Sequence, residues 1–320
     1  MPATMITLDV YAATDVVFCD GVMQGETLTI ADELVMDDVF EIAVGAQLSP
    51  LSLHSDATGL QMADGDGNDV HLDCCLTLMA PDGSTHEALV LVEVEDGAIV
   101  SLSLLPLGEL LPQTPYRLVG IARQTATRRF AEAASGSFAR GTRITMGDGR
   151  MYPIEDLQPG DILLTRDAGR QPVRHIGQTT LRATGSFAPV VITPGALNNE
   201  RELVLRPDHR LFIYQRTDEL GTGRAEVLIK ARHLVDQSSV IRRRGGFIDY
   251  FQLIMDAHHI IYAEGIAAES HLIDPRTRAA LPEGLAAPDH AEAAHQAYEV
   301  KGSLIPAKEA AALLRRASTS

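Results

Sequence analysis

The chain contains no uninterrupted apolar run of about 18 residues, the length a membrane-spanning helix needs. Residues 1–10 hold neither a basic n-region nor a continuous apolar h-region, so no secretory signal is read there. A cytoplasmic location and no membrane partner are the expectations that follow, with non-classical export left open. Cysteine is scarce: Cys19, Cys74 and Cys75 are the only three. An odd count with two neighbours in sequence makes a poor disulfide framework, and the three read as reduced thiols. If Cys74 and Cys75 lie on a strand, one faces the core and the other faces away. Basic residues are nearly missing from residues 1–136, which carry Arg117, Arg123, Arg128 and Arg129 against 21 acidic side chains, a balance of −17. The rest of the chain carries +1, for −16 overall. So sharp a change in charge marks a domain boundary. It also excludes a nucleic-acid partner for the first part, because phosphate binding needs clustered Lys and Arg. No Gly-rich phosphate cradle, Ser elbow or dinucleotide fingerprint occurs, which leaves an ordinary hydrolase or a nucleotide enzyme without its machinery.

What is present is mainly β. Residues 5–10 and 26–30 partly alternate, and residues 88–94 form a β-rich run between Asp82-Gly83 and Asp96-Gly97. Residues 62–70 superficially resemble a calcium loop but lack the closing Glu, so a polar hairpin tip is expected. Residues 123–135 are polar and Ala-rich and read as a linker or short frayed helix. Asp148-Gly149 lies between two β-rich runs, a strong hairpin signal, and Pro159-Gly160 sets a turn before a strand at 161–165. Further strands are expected at 189–193, 202–206, 210–214, 226–229 and 251–255, with one helical turn within 227–236. After Pro275 the composition becomes Ala-rich, and helix-like spacing covers 287–300 and 305–317. The expected organisation is an acidic β domain at 1–122, a linker at 123–136, an all-β domain at 137–274 and a helical tail at 275–320.

The third part carries ordered blocks: Gly136-Ser137-Phe138-Ala139-Arg140-Gly141-Thr142-Arg143-Ile144, then Ile154-Glu155-Asp156-Leu157-Gln158-Pro159-Gly160-Asp161. Leu205-Arg206-Pro207-Asp208-His209-Arg210, Tyr250-Phe251-Gln252-Leu253, Asp256-Ala257-His258 and Ala263-Glu264-Gly265-Ile266-Ala267-Ala268-Glu269-Ser270 follow. In this order and spacing the chain resembles the Hint (Hedgehog/intein) family, in the bacterial branch whose domain sits near the end of a larger chain. The tetrapeptide Gly-Ser-Phe-Ala recurs at 185–188 without the later blocks, so the resemblance rests on the series.

The resemblance implies an all-β horseshoe whose ends meet, preceded by the acidic β domain and followed by short helices. It also implies self-processing, with at most one turnover. Ser137 would attack the carbonyl of Gly136, and a glycine there leaves that carbonyl uncrowded. His209 would protonate the leaving amide nitrogen and should lie within hydrogen-bond reach of Ser137, directly or through one water. His258 is the second candidate acid, with Asp256 placed to orient an imidazole or trade protons. Two features depart from the family pattern. Ser137 stands where family members usually have cysteine, and a hydroxyl needs an adjacent base to be competent. Arg206 stands where the family prefers Thr or Ser; it can donate to a developing oxyanion but accepts no hydrogen bond. No His-Asn pair closes the domain, so cleavage or transfer without splicing is expected, with the chain's own first domain as substrate. The competing reading is a degenerate Hint scaffold that mediates interactions.

No metal or other cofactor is expected. His258, His259 and His271 lack recognised zinc spacing, and on a strand His258 and His259 would face opposite ways. His175 and His233 read as structural hydrogen-bonders. The run Arg242-Arg243-Arg244-Gly245-Gly246 suits either an acidic partner or, more plainly, a solvated loop tip.

Overall fold

A computed structural model describes residues 4–55, 59–63, 67–135, 137–184, 187–216, 218, 220–273, 277–281, 298–300, 305, 311 and 315. The chain divides into two compact units, Met1–Ala133 with Arg278–Ala280, and Ala134–Thr277 with Leu281–Ser320. Among the described residues no helix is long and apolar enough to cross a membrane.

The first unit is built from β1 (Thr4–Ala12), β2 (Val16–Asp20), β3 (Val39–Ile42), β4 (Ser49–Ser55), β5 (Leu60–Met62), β6 (Asp69–Met79), β7 (Thr85–Glu95), β8 (Ala98–Pro106) and β9 (Tyr116–Ala122). Paired neighbours run β2-β3-β9-β6-β5-β4-β1-β8-β7, and β7 pairs back onto β6, so the path from β6 to β7 closes into a ring. Asp96 and Gly97 both take positive φ, 49° and 81°, which is the geometry a tight hairpin needs between right-twisted strands. Alternation along β6 and β7 turns Cys74, Leu76, Leu78, Ala88, Val90 and Val92 into one core with Phe18, Phe40 and Tyr116. The rings of Phe18 and Phe40 meet edge-on at 5.6 Å.

Cys74 belongs to that core, while its neighbour Cys75 is buried outside the cluster. Burial pushes both thiols up to about 12, so neither is a thiolate at neutral pH. Residues 26–30 do not form the expected strand. Thr27 makes one isolated bridge to Val17, and the chain then turns where Asp73 accepts the Ala31 N–H at 2.7 Å. The loop at 62–70 is a hairpin tip, closed by Met62 N–H donating to the Asn68 carbonyl; residues 64–66 lie outside the described residues.

Helix α1 (Ala126–Ala134) fills most of the anticipated linker. Its residues Ala126, Phe130 and Ala131 are buried, a spacing that puts them on one helical face. Arg129 on the same helix reaches Glu87 of β7 at 3.0 Å.

The second unit contains β10 (Phe138–Ala139), β11 (Arg143–Thr145), β12 (Met151–Pro153), β13 (Ile162–Thr165), β14 (Gly169–Arg182), β15 (Val190–Ile192), β16 (Leu203–Leu205), β17 (Arg210–Tyr214), β18 (Glu226–Lys230), β19 (Val240–Arg242), β20 (Phe247–Met255), β21 (Ile260–Ala263) and β22 (Ile266–Glu269). Asp148-Gly149 closes the β11–β12 hairpin as expected, with Gly149 at φ 86°. The main path is β18-β17-β22-β21-β13-β14-β20-β10-β16-β15-β19, with β11 joining β12 to β21. The long β14 crosses between halves: its beginning pairs with β13 and the remainder with β20, with a bulge between Val173 and His175. Ala231–Leu234 forms one 3-10 turn, within the stretch where a helical turn was expected.

Of the expected terminal helices, most of 287–300 and 305–317 lies outside the described residues. Tyr298 lies in a 3-10 turn, whereas Glu299 and Val300 are not helical. They run beside β18, with a parallel bridge from Glu299 to Leu228 and the Val300 N–H donating to the Leu228 carbonyl at 2.9 Å. Val300, Ile305 and Ala311 all join the second core.

Phe40→Ala should destabilise the first unit by about 3–5 kcal/mol, because a fully buried ring leaves a cavity its rigid neighbours cannot fill. Urea unfolding followed by far-ultraviolet circular dichroism measures it. A loss below about 1 kcal/mol would contradict the packing described.

Candidate functional site

The connection between β16 and β17 builds the site. Leu205, the last residue of β16, pairs with Phe138 of β10, the strand that opens the second unit's sheet. Leu211 of β17 pairs with Ala268 of β22, the last strand. The turn at 206–209 therefore joins the first strand of the domain to the last. Arg206 N–H donates to the Ser137 carbonyl at 3.0 Å, and His209 N–H to the Arg206 carbonyl at 3.1 Å.

Two polar side chains are stranded at this junction. Among the described residues the buried Ser137 hydroxyl makes no hydrogen bond, and the buried His209 ring has the Ser137 and Glu269 backbones beside it without a hydrogen bond of good geometry. Among the described residues no hydrogen bond joins the Ser137 hydroxyl to His209, and the His209 ring packs on Phe138, the next residue, tilted by 56° with centroids 4.3 Å apart. Burial lowers the His209 pKa to about 4, helped by the adjacent Arg210 charge and opposed by Glu269. The imidazole is neutral at pH 7. Gly136, whose carbonyl is the expected target, lies outside the described residues.

Arg206 is also buried. Its guanidinium lies over the rings of Phe187, at 4.8 Å, and Tyr250, at 5.6 Å. Tyr250 in turn donates its hydroxyl to the Phe187 carbonyl at 2.8 Å, which fixes that ring.

The expected role of Asp256 requires correction. Its carboxylate is 53% exposed and takes two bonds from Arg174, at 2.7 and 2.6 Å. A bidentate guanidinium captures it on the surface. The carboxylate that faces His258 is Glu269, with Oε2 3.2 Å from His258 Nε2. Glu269 is buried, accepts the Arg210 N–H at 3.1 Å and lies 3.3 Å from the Arg210 guanidinium. Burial alone would raise its pKa, but Arg210 and His258 overcome that and hold it at about 2. Glu269 sat inside a quoted motif without a role. The signal available was a charged residue ending an otherwise apolar strand, Ile266-Ala267-Ala268-Glu269, since buried charges require partners.

His259 points instead to Asp167, Nδ1 to Oδ2 at 2.7 Å, so the neighbouring histidines serve different carboxylates. Among the described residues no group of three or more His, Cys, Asp or Glu is placed to hold a metal ion. His233 is held at about 4 by burial and by the charges of Arg232 and Lys230.

Comparison with known proteins gives the same region. Residues 136–275 match a family model described as Hint domain. No curated protein matches. A solved structure, the crystal structure of gp41-1 intein, aligns with 42% of this chain and 97% of its own, at 14% identity and a TM-score of 0.26.

Acid should weaken the second unit. Between pH 6.5 and about 4 the folded His209 binds fewer protons than the unfolded one, so its contribution is complete above pH 6.5 and lost toward pH 4. Glu269 works in the same direction lower down, its contribution complete above pH 4.5 and lost as pH falls through about 2. Calorimetry should show the second unit losing on the order of 3 kcal/mol from His209 between pH 7 and pH 4. His209→Gln should flatten that fall; an unchanged profile would refute the neutral assignment. Glu269→Gln at pH 7 should cost about 3–5 kcal/mol by stranding Arg210 and His258. Asp256→Asn, which breaks the exposed pair with Arg174, should cost at most about 1 kcal/mol.

Proposed function

We propose that the Hint domain carried by residues 136–275 is an autoprocessing module that releases or transfers residues 1–136 at the Gly136–Ser137 bond, without splicing. One observation supports this reading above the others. A buried hydroxyl without a hydrogen bond among the described residues and a buried neutral imidazole lie where the first and last strands of the domain converge. Buried polar groups are ordinarily hydrogen-bonded, and a role in chemistry is one reason for an exception.

The first step is an N-to-O acyl shift. Ser137 Oγ attacks the Gly136 carbonyl carbon, an ester bond forms and the peptide C–N bond breaks. The hydroxyl proton and the leaving nitrogen's proton balance: neutral His209 takes the first and returns it to the amide nitrogen, which becomes the amino group of Ser137. With its pKa near 4, His209 is a weak base but, once protonated, a strong acid. That favours breakdown of the tetrahedral intermediate over activation of the nucleophile. The Glu269–His258 pair supplies a second imidazole beside Arg210. Water or another nucleophile then takes the acyl group.

The alternative, a Hint scaffold that no longer cleaves, draws on the lack of any base hydrogen-bonded to Ser137 Oγ and on the aromatic packing of Arg206.

The substitution Ser137→Cys separates the two. A thiol is the better nucleophile, and a thioester yields readily to added thiol. Incubated with dithiothreitol, the variant should give fragments 1–136 and 137–320 by intact mass, at a rate at least about tenfold above the serine chain. His209→Ala in that background should slow cleavage by about 100-fold or more. If Ser137→Cys stays whole, and Arg206→Thr added to it changes nothing, the processing reading fails and the scaffold remains.

A further inference from the structure

His209 is flanked in sequence by two charged residues, and each is anchored. Asp208 faces Arg232 at 3.2 Å and Lys230 at 3.9 Å. Arg210 faces Glu269 at 3.3 Å and Glu299 at 3.5 Å. Glu299 also lies 3.5 Å from Lys230. The contacts form a closed ring: Asp208 to Lys230, Lys230 to Glu299, Glu299 to Arg210, and back to Asp208 through the backbone of His209. Glu299 supplies two links of that ring, and it lies outside residues 136–275.

The placement of Glu299 is built. Its backbone makes a parallel bridge to Leu228 of β18, and β18 pairs along its length with β17, which begins at Arg210. Tyr298 packs edge-on against Phe212 of β17 at 5.9 Å, and Val300 is buried in the core. These contacts hold residues 298–300 along β18 with the Glu299 carboxylate over Arg210 and Lys230. Arg210 is nearly buried, with its side chain 8% exposed, so its charge is poorly screened and its position depends on the carboxylates around it.

We propose that Glu299 is a positioning residue of the processing site, closing the ring of ion pairs that fixes the His209 turn from a segment outside the matched domain. It touches no reacting atom. It acts through Arg210 and Lys230, and it makes the register of His209 against Phe138 and Ser137 depend on the tail being docked. The inference rests on the processing reading for its importance, and on the ring alone for its geometry.

The test uses the full chain and two readouts. The first is the nuclear magnetic resonance shift of the His209 ring protons in the serine chain, which the Phe138 ring displaces and which therefore reports stacking. The second is the cleavage rate in the Ser137→Cys chain. Glu299→Gln keeps the shape and removes the charge. It should move the His209 signals while those of His54, His71 and His86 stay in place, and should slow cleavage at least about tenfold. Glu299→Asp, which retains the charge, should recover part of both. If Glu299→Gln fails to fold, Lys230→Met opens the same ring at another link and should displace the same His209 signals. Unchanged His209 signals in a folded ring-opened variant overturn the proposal, whatever the cleavage rate. A displaced His209 in a chain whose Ser137→Cys form never cleaves sinks the processing reading and leaves the positioning role standing. Equal loss in Glu299→Gln and Glu299→Asp, with His209 unmoved, would mark Glu299 as a packing residue and overturn it as well.

Discussion

The carboxylate of Glu269 is dry, and burying a charge is costly unless hydrogen bonds and an opposite charge answer it. The answer comes from the Arg210 N–H, the Arg210 guanidinium and His258. Because Glu269 ends β22 and Arg210 begins β17, satisfying the charge sets the register between those strands. The turn at 206–209 is carried with it, and the pairing of Leu205 with Phe138 brings the beginning of the domain to the same place. The convergence of the two ends is therefore held by electrostatics on one side of the turn and by backbone pairing on the other. Removing either partner of the buried pair would leave the other uncompensated, which explains why the junction tolerates so much buried polarity.

Much of the β architecture could be read from local signals. Asp148-Gly149 and Asp96-Gly97 mark tight turns because each supplies a glycine that takes positive φ, and the apolar run within residues 210–214 coincides with β17. Residues 26–30 misled for a tertiary reason: Asp73, far away in sequence, captures the Ala31 N–H and bends the chain. The helix at 126–134 was obscured by its polarity: its buried side chains include the apolar Ala126, Phe130 and Ala131 but also Glu132. The site was legible in part. Ser137, Arg206 and His209 followed from ordered blocks and do meet at one junction. The partner of His258 did not follow, because a charge pair is chosen by distance in space. Asp256 sits two residues from His258 yet binds Arg174, 82 positions away, while Glu269 reaches His258 across the β21–β22 hairpin.

The two units also differ in how they keep reactive groups quiet. In the first, the adjacent thiols of Cys74 and Cys75 are held protonated by burial, so neither competes as a nucleophile at neutral pH. In the second, the same physical effect acts on a base: burial keeps His209 uncharged at neutral pH. Desolvation disfavours the charged form in both cases, so it keeps the thiols protonated and makes the imidazole a weak base whose protonated form is a strong acid.

The bulge in β14 has a consequence for how such a chain can vary. Before Val173 the strand keeps phase with β13; from His175 onward it keeps phase with β20, and the extra residue between them offsets the two. Substitutions along the strand change one side chain at a time. An insertion or deletion of one residue at the bulge would leave the β13 hairpin intact and invert inside and outside for the stretch against β20, turning Leu181 toward water. The length of β14 is thus a stricter heritable quantity than its composition, and related chains can diverge widely in sequence there while conserving the count.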